Sequence, residues 1–183
     1  MSARAAESIS VDPALLERVL APYKAHCRYL SQARVDVVEC ADGQRRPRAL
    51  GQFSIPESCY IEDTGHLNSV EANIAYNQLM YTLFAVGVQH RLVPELGFLD
   101  VDAYLERCLP DVLIHRIDLR FKRPIDRLAF GGEVALVGAN SSRGFALLKT
   151  ETRFEGASEI GGLALGRVDL AFVHRPGDRA EDA

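Results

Sequence analysis

No tryptophan, no CxxC pair, no GxSxG elbow and no glycine-rich phosphate loop occur in this chain. Without the elbow, a serine triad lacks the usual setting for its nucleophile. Gly131-Gly132 lies between strand-like segments and reads as a turn. Cys27, Cys40, Cys59 and Cys108 are scattered, and His26 with Cys27 has no third ligand at useful spacing. Reduced thiols and no metal are the expectation, as in a cytoplasmic protein. Basic residues are outnumbered as well, for a formal charge of -4. Nucleic-acid binding favours a clustered basic surface, so it is not expected. No uncharged apolar run reaches the roughly 18 residues of a membrane span. Residues 1–10 carry no hydrophobic signal core, so neither secretion nor a membrane partner is expected. What remains is 183 residues, 48% apolar and 25% charged, enough for one domain with a sizeable core.

The densest information lies in Asp63-Thr64-Gly65-His66-Leu67-Asn68-Ser69-Val70-Glu71, which runs into an apolar helix extending to about Gln89. Asn68 is a strong N-cap, and Glu71 three residues later predicts a capping box. A helix N-terminus offers unpaired N–H groups and partial positive charge, here from Ser69 and Val70, suited to an oxygen that becomes negative during a reaction. Ala72, Ala75, Tyr76, Leu79, Leu83 and Val86 form one apolar stripe, while Val70, Ile74, Tyr81, Phe84 and Val88 form another. A helix apolar on most sides is wrapped by other structure. Asn73, Asn77 and Gln78 interrupt it, where unpaired amides would be costly.

Around this helix the chain divides into an N-terminal tail and helix over 1–33, a main domain over 34–175 and a disordered tail over 176–183. Residues 1–10 read as frayed. Asp12-Pro13 opens a helix running to about Leu30, with Pro22 as a possible interruption. Arg34 to Cys40 alternates as a strand, Ala41-Asp42-Gly43-Gln44 turns, and 50–61 form a second strand region bent near Pro56. Val101 to Leu109 is a short helix closed by Pro110. From there the period becomes two. Leu113, Ile117, Leu119 and Phe121 alternate with Arg116, Asp118, Arg120 and Lys122 as a half-buried strand. Gly131 to Ala139, Phe145 to Phe154 and Gly166 to His174 supply three more. One long helix followed by a four-strand antiparallel meander is α+β architecture, with the sheet curled around the helix.

This arrangement resembles the hotdog fold, in which pairs of subunits share active sites. Phe53-Ser54-Ile55-Pro56-Glu57-Ser58-Cys59-Tyr60-Ile61, the Asp63 to Glu71 stretch and Asn73 to Tyr81 are similar to the FcoT-like family. So are Leu109-Pro110-Asp111-Val112-Leu113-Ile114 and Phe121-Lys122-Arg123-Pro124-Ile125. The resemblance implies acyl-thioester chemistry of one of two kinds. One is hydrolysis of fatty acyl-CoA or acyl-carrier-protein thioesters. The other is addition of glycine to the β-carbon of a 2-enoyl group on an acyl carrier protein, then release of a 3-(carboxymethylamino) fatty acid, as in isonitrile lipopeptide biosynthesis. It also implies a homodimer or larger homo-oligomer, and no cofactor beyond the phosphopantetheine or coenzyme A that carries the substrate. A non-catalytic acyl-binding protein on the same fold is the third possibility.

The family's acyl-site pattern of tyrosines and asparagines falls on Tyr60, Asn68 and Asn77. A tyrosine on the N-terminal helix completes it, Tyr29 fitting better than Tyr23. Both chemistries push negative charge onto the thioester oxygen, so both can use the same donors: the N–H groups after Asn68, the Tyr60 hydroxyl and the Asn77 amide. Asn68 as a plain cap, Asn77 as a satisfied core amide and the tyrosines as ordinary half-buried aromatics are the competing readings. Asp63, His66 and Glu71, with Glu62 beside them, are the conventional acid–base candidates. Met80, Tyr81 and Phe84 are placed at the floor of an acyl tunnel. Arg120, Lys122 and Arg123, with Arg116, are candidates for binding phosphates or an acidic carrier protein, a solvated strand face being the alternative.

Overall fold

In the computed structural model, residues 5–40, 42–157 and 161–178 are described. The element order is β1 (Ala5–Ser10), α1 (Pro13–Leu20), β2 (Leu30–Glu39), β3 (Arg45–Phe53), α2 (Ser69–Gln89), α3 (Val101–Asp111), β4 (Val112–Arg123), β5 (Phe130–Ser141), β6 (Phe145–Gly156) and β7 (Leu163–Val173). The strands form one seven-stranded antiparallel sheet in the order β1-β2-β3-β5-β6-β7-β4. α2 is buried on nearly every side from Glu71 to Val88, as its apolar circumference requires. Among the described residues, no helix is long and apolar enough to cross a membrane.

Close packing of the sheet onto α2 depends on missing side chains. A Cβ at Gly132 would stand 2.6 Å from the Phe53 ring and 3.0 Å from the Phe154 ring. Phe53 stacks on Phe130 at 5.1 Å between centroids, and Phe154 meets both edge-on. The glycine leaves room for these three rings under the sheet.

Several expectations change. The frayed start is a strand from Ala5: Ser10 pairs with Arg34, and the Ser8 hydroxyl donates to Asp36 at 2.7 Å. The first helix ends at Leu20, since Pro22 cannot continue the hydrogen-bond ladder. A short 3-10 turn, Ala25–Cys27, follows, and Tyr29 immediately precedes β2 instead of riding on a helix. The second strand ends at Phe53. Beyond it the Ile55 N–H donates to the Arg127 carbonyl, and residues 54–68 form a loop that carries Tyr60. α3 extends through Pro110 to Asp111.

The last four strands are not a simple meander. β4 skips β5 and pairs with β7, with Val112 opposite Phe172, and it ends the sheet. It is therefore exposed, not half-buried: Leu113 is 52%, Ile117 45% and Phe121 40% accessible. The tail expected to be disordered from residue 176 is tied down through Asp178, whose carboxylate takes two bonds from the Arg107 guanidinium at 2.8 and 2.7 Å. Residues 179–183, the rest of that tail, lie outside the described residues, as does Ala41 of the expected turn.

Candidate active site

The start of α2 is organised by one amide. Asn68 has extended backbone angles, and its Oδ1 accepts from the N–H groups of Val70 (3.0 Å) and Glu71 (3.1 Å). With Oδ1 committed to the helix, Nδ2 must point the other way, and it donates to Glu71 Oε2 at 2.7 Å. The expected capping box is thus replaced. The Glu71 carboxylate meets the Asn68 side chain and turns into the protein, where the residue is 0% exposed. Its Oε1 has no hydrogen-bond partner. The cap also occupies the Val70 N–H, which removes it from the expected oxyanion donors. Ser69 N–H is left outside the Asn68 cap.

Two turns further along α2, Gln78 is equally buried and fully used. Its Oε1 accepts from the N–H groups of Tyr29 and Leu30, both at 3.0 Å, and its Nε2 donates to the Cys27 carbonyl at 2.6 Å. This side chain bolts the head of β2 to the helix. Glu71 and Gln78 are seven residues apart, about two turns, so they share a helix face. The Tyr29 ring is buried, and its hydroxyl has no satisfied hydrogen bond to nitrogen or oxygen. Burial above all pushes the phenol pKa up. The Cys59 thiol, the Cys27 thiol and the Glu71 carboxylate add to the rise, so each lies within reach of the Tyr29 hydroxyl.

Asn73 and Asn77 stand one turn apart on a different face, rotated well away from Glu71. Each has a buried, unpartnered Oδ1. Met80 and Phe84 continue the same row at i+7 and i+11 from Asn73, both buried in the core. Amides followed by apolar side chains along one line form a gradient suited to a polar head and an aliphatic tail. Tyr81, the third residue placed at a tunnel floor, is 8% exposed and turns toward α3, its carbonyl accepting from the Tyr104 hydroxyl at 3.2 Å. Ser58 Oγ is a further buried, unpartnered group, in the 54–68 loop.

The remaining expected residues sit at the surface. Tyr60 is 51% exposed. Asp63 accepts from Gly65 N–H at 2.7 Å and Arg127 Nε at 2.8 Å. The Arg127 hydrogen bond holds its carboxyl below the usual range, and Asp63 latches the loop to Arg127. His66 is exposed, and its carbonyl accepts from the Thr64 hydroxyl at 2.6 Å. Arg120 is bonded to Asp118, while Lys122 and Arg123 are exposed. Arg120 and Lys122 line a hollow of about 600 Å³ on the outer sheet face, which also holds Glu133, Glu151 and Arg167, so its charge is mixed. Residue typing alone missed the inward turn of Glu71 and the tie from Gln78 to Tyr29. Both are long-range contacts of buried polar groups, and only the cost of burying them hinted at a role.

Residues 18–172 match the model of the FcoT-like thioesterase domain. A protein of Streptomyces coeruleorubidus named (2E)-enoyl-[ACP] glycyltransferase is 41% identical over 168 residues, covering 90% of this chain and 99% of that one. Proteins of the same name from Mycobacterium marinum and Mycobacterium tuberculosis H37Rv are 36% and 33% identical, over 88% and 92% of this chain and 86% and 91% of theirs. In three dimensions, a candidate thioesterase from Lactococcus lactis superposes with a TM-score of 0.55 at 13% identity, covering 80% of this chain and 95% of that one. Another, from Syntrophus aciditrophicus, superposes with a TM-score of 0.52 at 10% identity, covering 87% and 95%. Together with the curled sheet around α2, these neighbours identify the hotdog fold.

Proposed function

The chain belongs to the FcoT-like thioesterase family, and we propose that it adds glycine to the β-carbon of a 2-enoyl group carried on an acyl carrier protein, then releases the 3-(carboxymethylamino) fatty acid by hydrolysis. Relatives at 33–41% identity, matched over most of both chains, are named for glycyl transfer to such a substrate. The observation that carries the reading to this chain is a group of buried polar atoms around α2 that have no nitrogen or oxygen partner: Tyr29 Oη, Ser58 Oγ, Glu71 Oε1, Asn73 Oδ1 and Asn77 Oδ1. Buried polar groups are normally paired, and each one left open costs stability. Open groups on two faces of the N-terminal half of α2, with Tyr29 and the 54–68 loop beside it, are what a polar substrate reaching across the helix end would satisfy.

The reaction gathers negative charge on the thioester oxygen twice, as an enolate during addition and as a tetrahedral oxyanion during hydrolysis. Asn77 Nδ2 is the donor to that oxygen, while the open Oδ1 atoms of Asn77 and Asn73 are acceptors for N–H groups of the substrate, and the acyl chain follows the row through Met80 and Phe84. Ser69 N–H, at the positive end of α2, and the Tyr60 hydroxyl are further donors. Tyr29 closes the other side of the helix end. No cofactor of the protein's own enters; phosphopantetheine delivers the substrate, and Arg120, Lys122 and Arg123 meet the acidic carrier. The working unit is a homodimer joined at β4, a 12-residue strand whose second edge is unpaired among the described residues and whose Leu113, Ile117 and Phe121 are exposed. A long apolar edge of this kind invites pairing with a second copy.

Mass spectrometry of products from a short 2-enoyl acyl-carrier-protein and labelled glycine tests the reading. A labelled acid is expected. Release of unmodified enoic acid alone would leave a plain thioesterase, the reading that the fold neighbours favour. No turnover at all would leave an acyl-binding protein.

A further inference from the structure

We propose that Glu71 is the general base of the addition step, with Asn68 holding one carboxylate oxygen and the other, Oε1, receiving a proton from the glycine ammonium. The inference rests on the glycine-adding reading above and deepens it.

Among the described residues the buried acidic side chains are Asp36, Glu71 and Asp111. Asp36 has both oxygens engaged, by the Ser8 hydroxyl and by Arg48 at 3.1 Å. Asp111 likewise meets Arg107 and Arg175 on separate oxygens. Each has two cationic neighbours. Glu71, the most deeply buried, has one neutral donor on Oε2 and nothing on Oε1. A carboxylate kept in that state has no structural justification, because burying an unpaired acceptor is costly. It does have a chemical one. A free, water-poor carboxylate oxygen is what a primary ammonium needs to become a nucleophile.

The surroundings fit a small zwitterion. The Tyr29 hydroxyl, at the head of β2, is close enough to feel the Glu71 charge. The Arg127 guanidinium, from the connector between β4 and β5, is close enough to feel the Glu71 charge. Arg127 also donates to Asp63 and to the Ile55 carbonyl, so it is fixed in place, a cation for the glycine carboxylate beside a base for its amine.

The step balances without another reactant. Glu71 takes one proton from the ammonium, and the freed nitrogen lone pair forms the bond to the β-carbon. The alkene π electrons move toward the thioester oxygen as an enolate. Protonated Glu71 then returns its proton to the α-carbon. The new secondary amine keeps the two remaining protons as an ammonium, and the carboxylate is regenerated.

The test compares glycine with aminooxyacetate, a nucleophile of similar shape whose nitrogen is already unprotonated at neutral pH. Total labelled adduct, carrier-bound plus released, is measured by mass spectrometry so that hydrolysis does not enter. Glu71→Gln keeps the shape and should lower glycine addition by about 10²–10⁴-fold. Addition of aminooxyacetate should stay within a few-fold of the wild-type rate. Equal loss with both nucleophiles in a folded variant would make Glu71 structural, and unchanged glycine addition would remove it from the mechanism. Should Glu71→Gln fail to fold, Asn68→Ser keeps a good cap while dropping the amide that holds the carboxylate. It should lower glycine addition selectively, and an equal loss with both nucleophiles would again overturn the proposal. If the wild-type enzyme adds neither nucleophile, it is the glycine-adding reading itself that fails.

Discussion

Two groups of buried polar side chains in this protein are built on opposite plans. At the end of α3, Arg107 donates to Asp111 at 2.6 Å, to both oxygens of Asp178 and to the Val173 carbonyl at 3.1 Å. Its guanidinium also lies 5.1 Å from the Phe172 ring and 5.6 Å from the Phe98 ring. Each charge there is answered. Around the first half of α2, by contrast, Glu71, Asn73 and Asn77 each keep an open atom. A saturated network fixes a chain end and stabilises the fold, whereas an unsaturated one is, under the proposed function, what the substrate fills. Burial alone does not separate the two; counting partners does.

Mutation should separate them sharply. Arg107→Ala leaves Asp111 and Asp178 without their shared cation, and breaking a buried pair from one side costs about 3–5 kcal/mol. Denaturant melting should record that loss, and any enzyme remaining folded should turn over normally. Asn77→Ala should do the reverse. Removing one donor to a developing oxyanion lowers turnover by about 10²–10³-fold, while melting should stay level or improve, since an unpaired buried atom is removed. A thermostability loss without a rate loss would place Asn77 in the structural class. Gln78→Leu belongs to both classes. It strands two backbone N–H groups and a carbonyl, at about 1–3 kcal/mol for a buried group left unpaired, and the released Tyr29 should also lower kcat.

Acid gives the mildest probe. Hydrogen bonds from Arg107 hold the Asp178 carboxyl below its ordinary value. For Asp111, burial pushes upward, but the bonds from Arg175 and Arg107 outweigh it. Both pKa values are depressed in the folded state, so their stabilisation is complete above the ordinary carboxylate range and fades as pH falls through the depressed values. Melting temperature against pH should therefore drop in strong acid. Asp178→Asn should flatten part of that drop while lowering stability at neutral pH.

Much of this could be read from residue order. The helix apolar on all sides could only be wrapped, and Asn68 could only be its start, so α2 and the curled sheet followed. The family motifs pointed to Tyr60, Asn68, Asn77 and Tyr29, of which Tyr29 is buried and Tyr60 stands at the surface. Three things stayed hidden, each for a physical reason. β4 alternates as if half-buried, but alternation reports which residues share a face, not whether that face is covered; the strand order that leaves it at the edge is set by long-range pairing. Residues 5–10 contain one large apolar side chain, Ile9, and take their strand geometry from β2. Glu71 has the capping-box spacing, yet spacing cannot say whether its carboxylate returns to the backbone or bonds to the cap's own amide.

That last detail bears on which sequences this site can accept. Asparagine, aspartate and serine are nearly equivalent as helix caps, so stability alone would let position 68 drift among them. Only asparagine caps with its oxygen and still has an N–H to offer a carboxylate. Aspartate there would set two negative groups against each other, and serine would have to reach the carboxylate with the O–H of the same short side chain that caps the helix. What distinguishes asparagine at position 68 is therefore the half of the amide that the helix does not use.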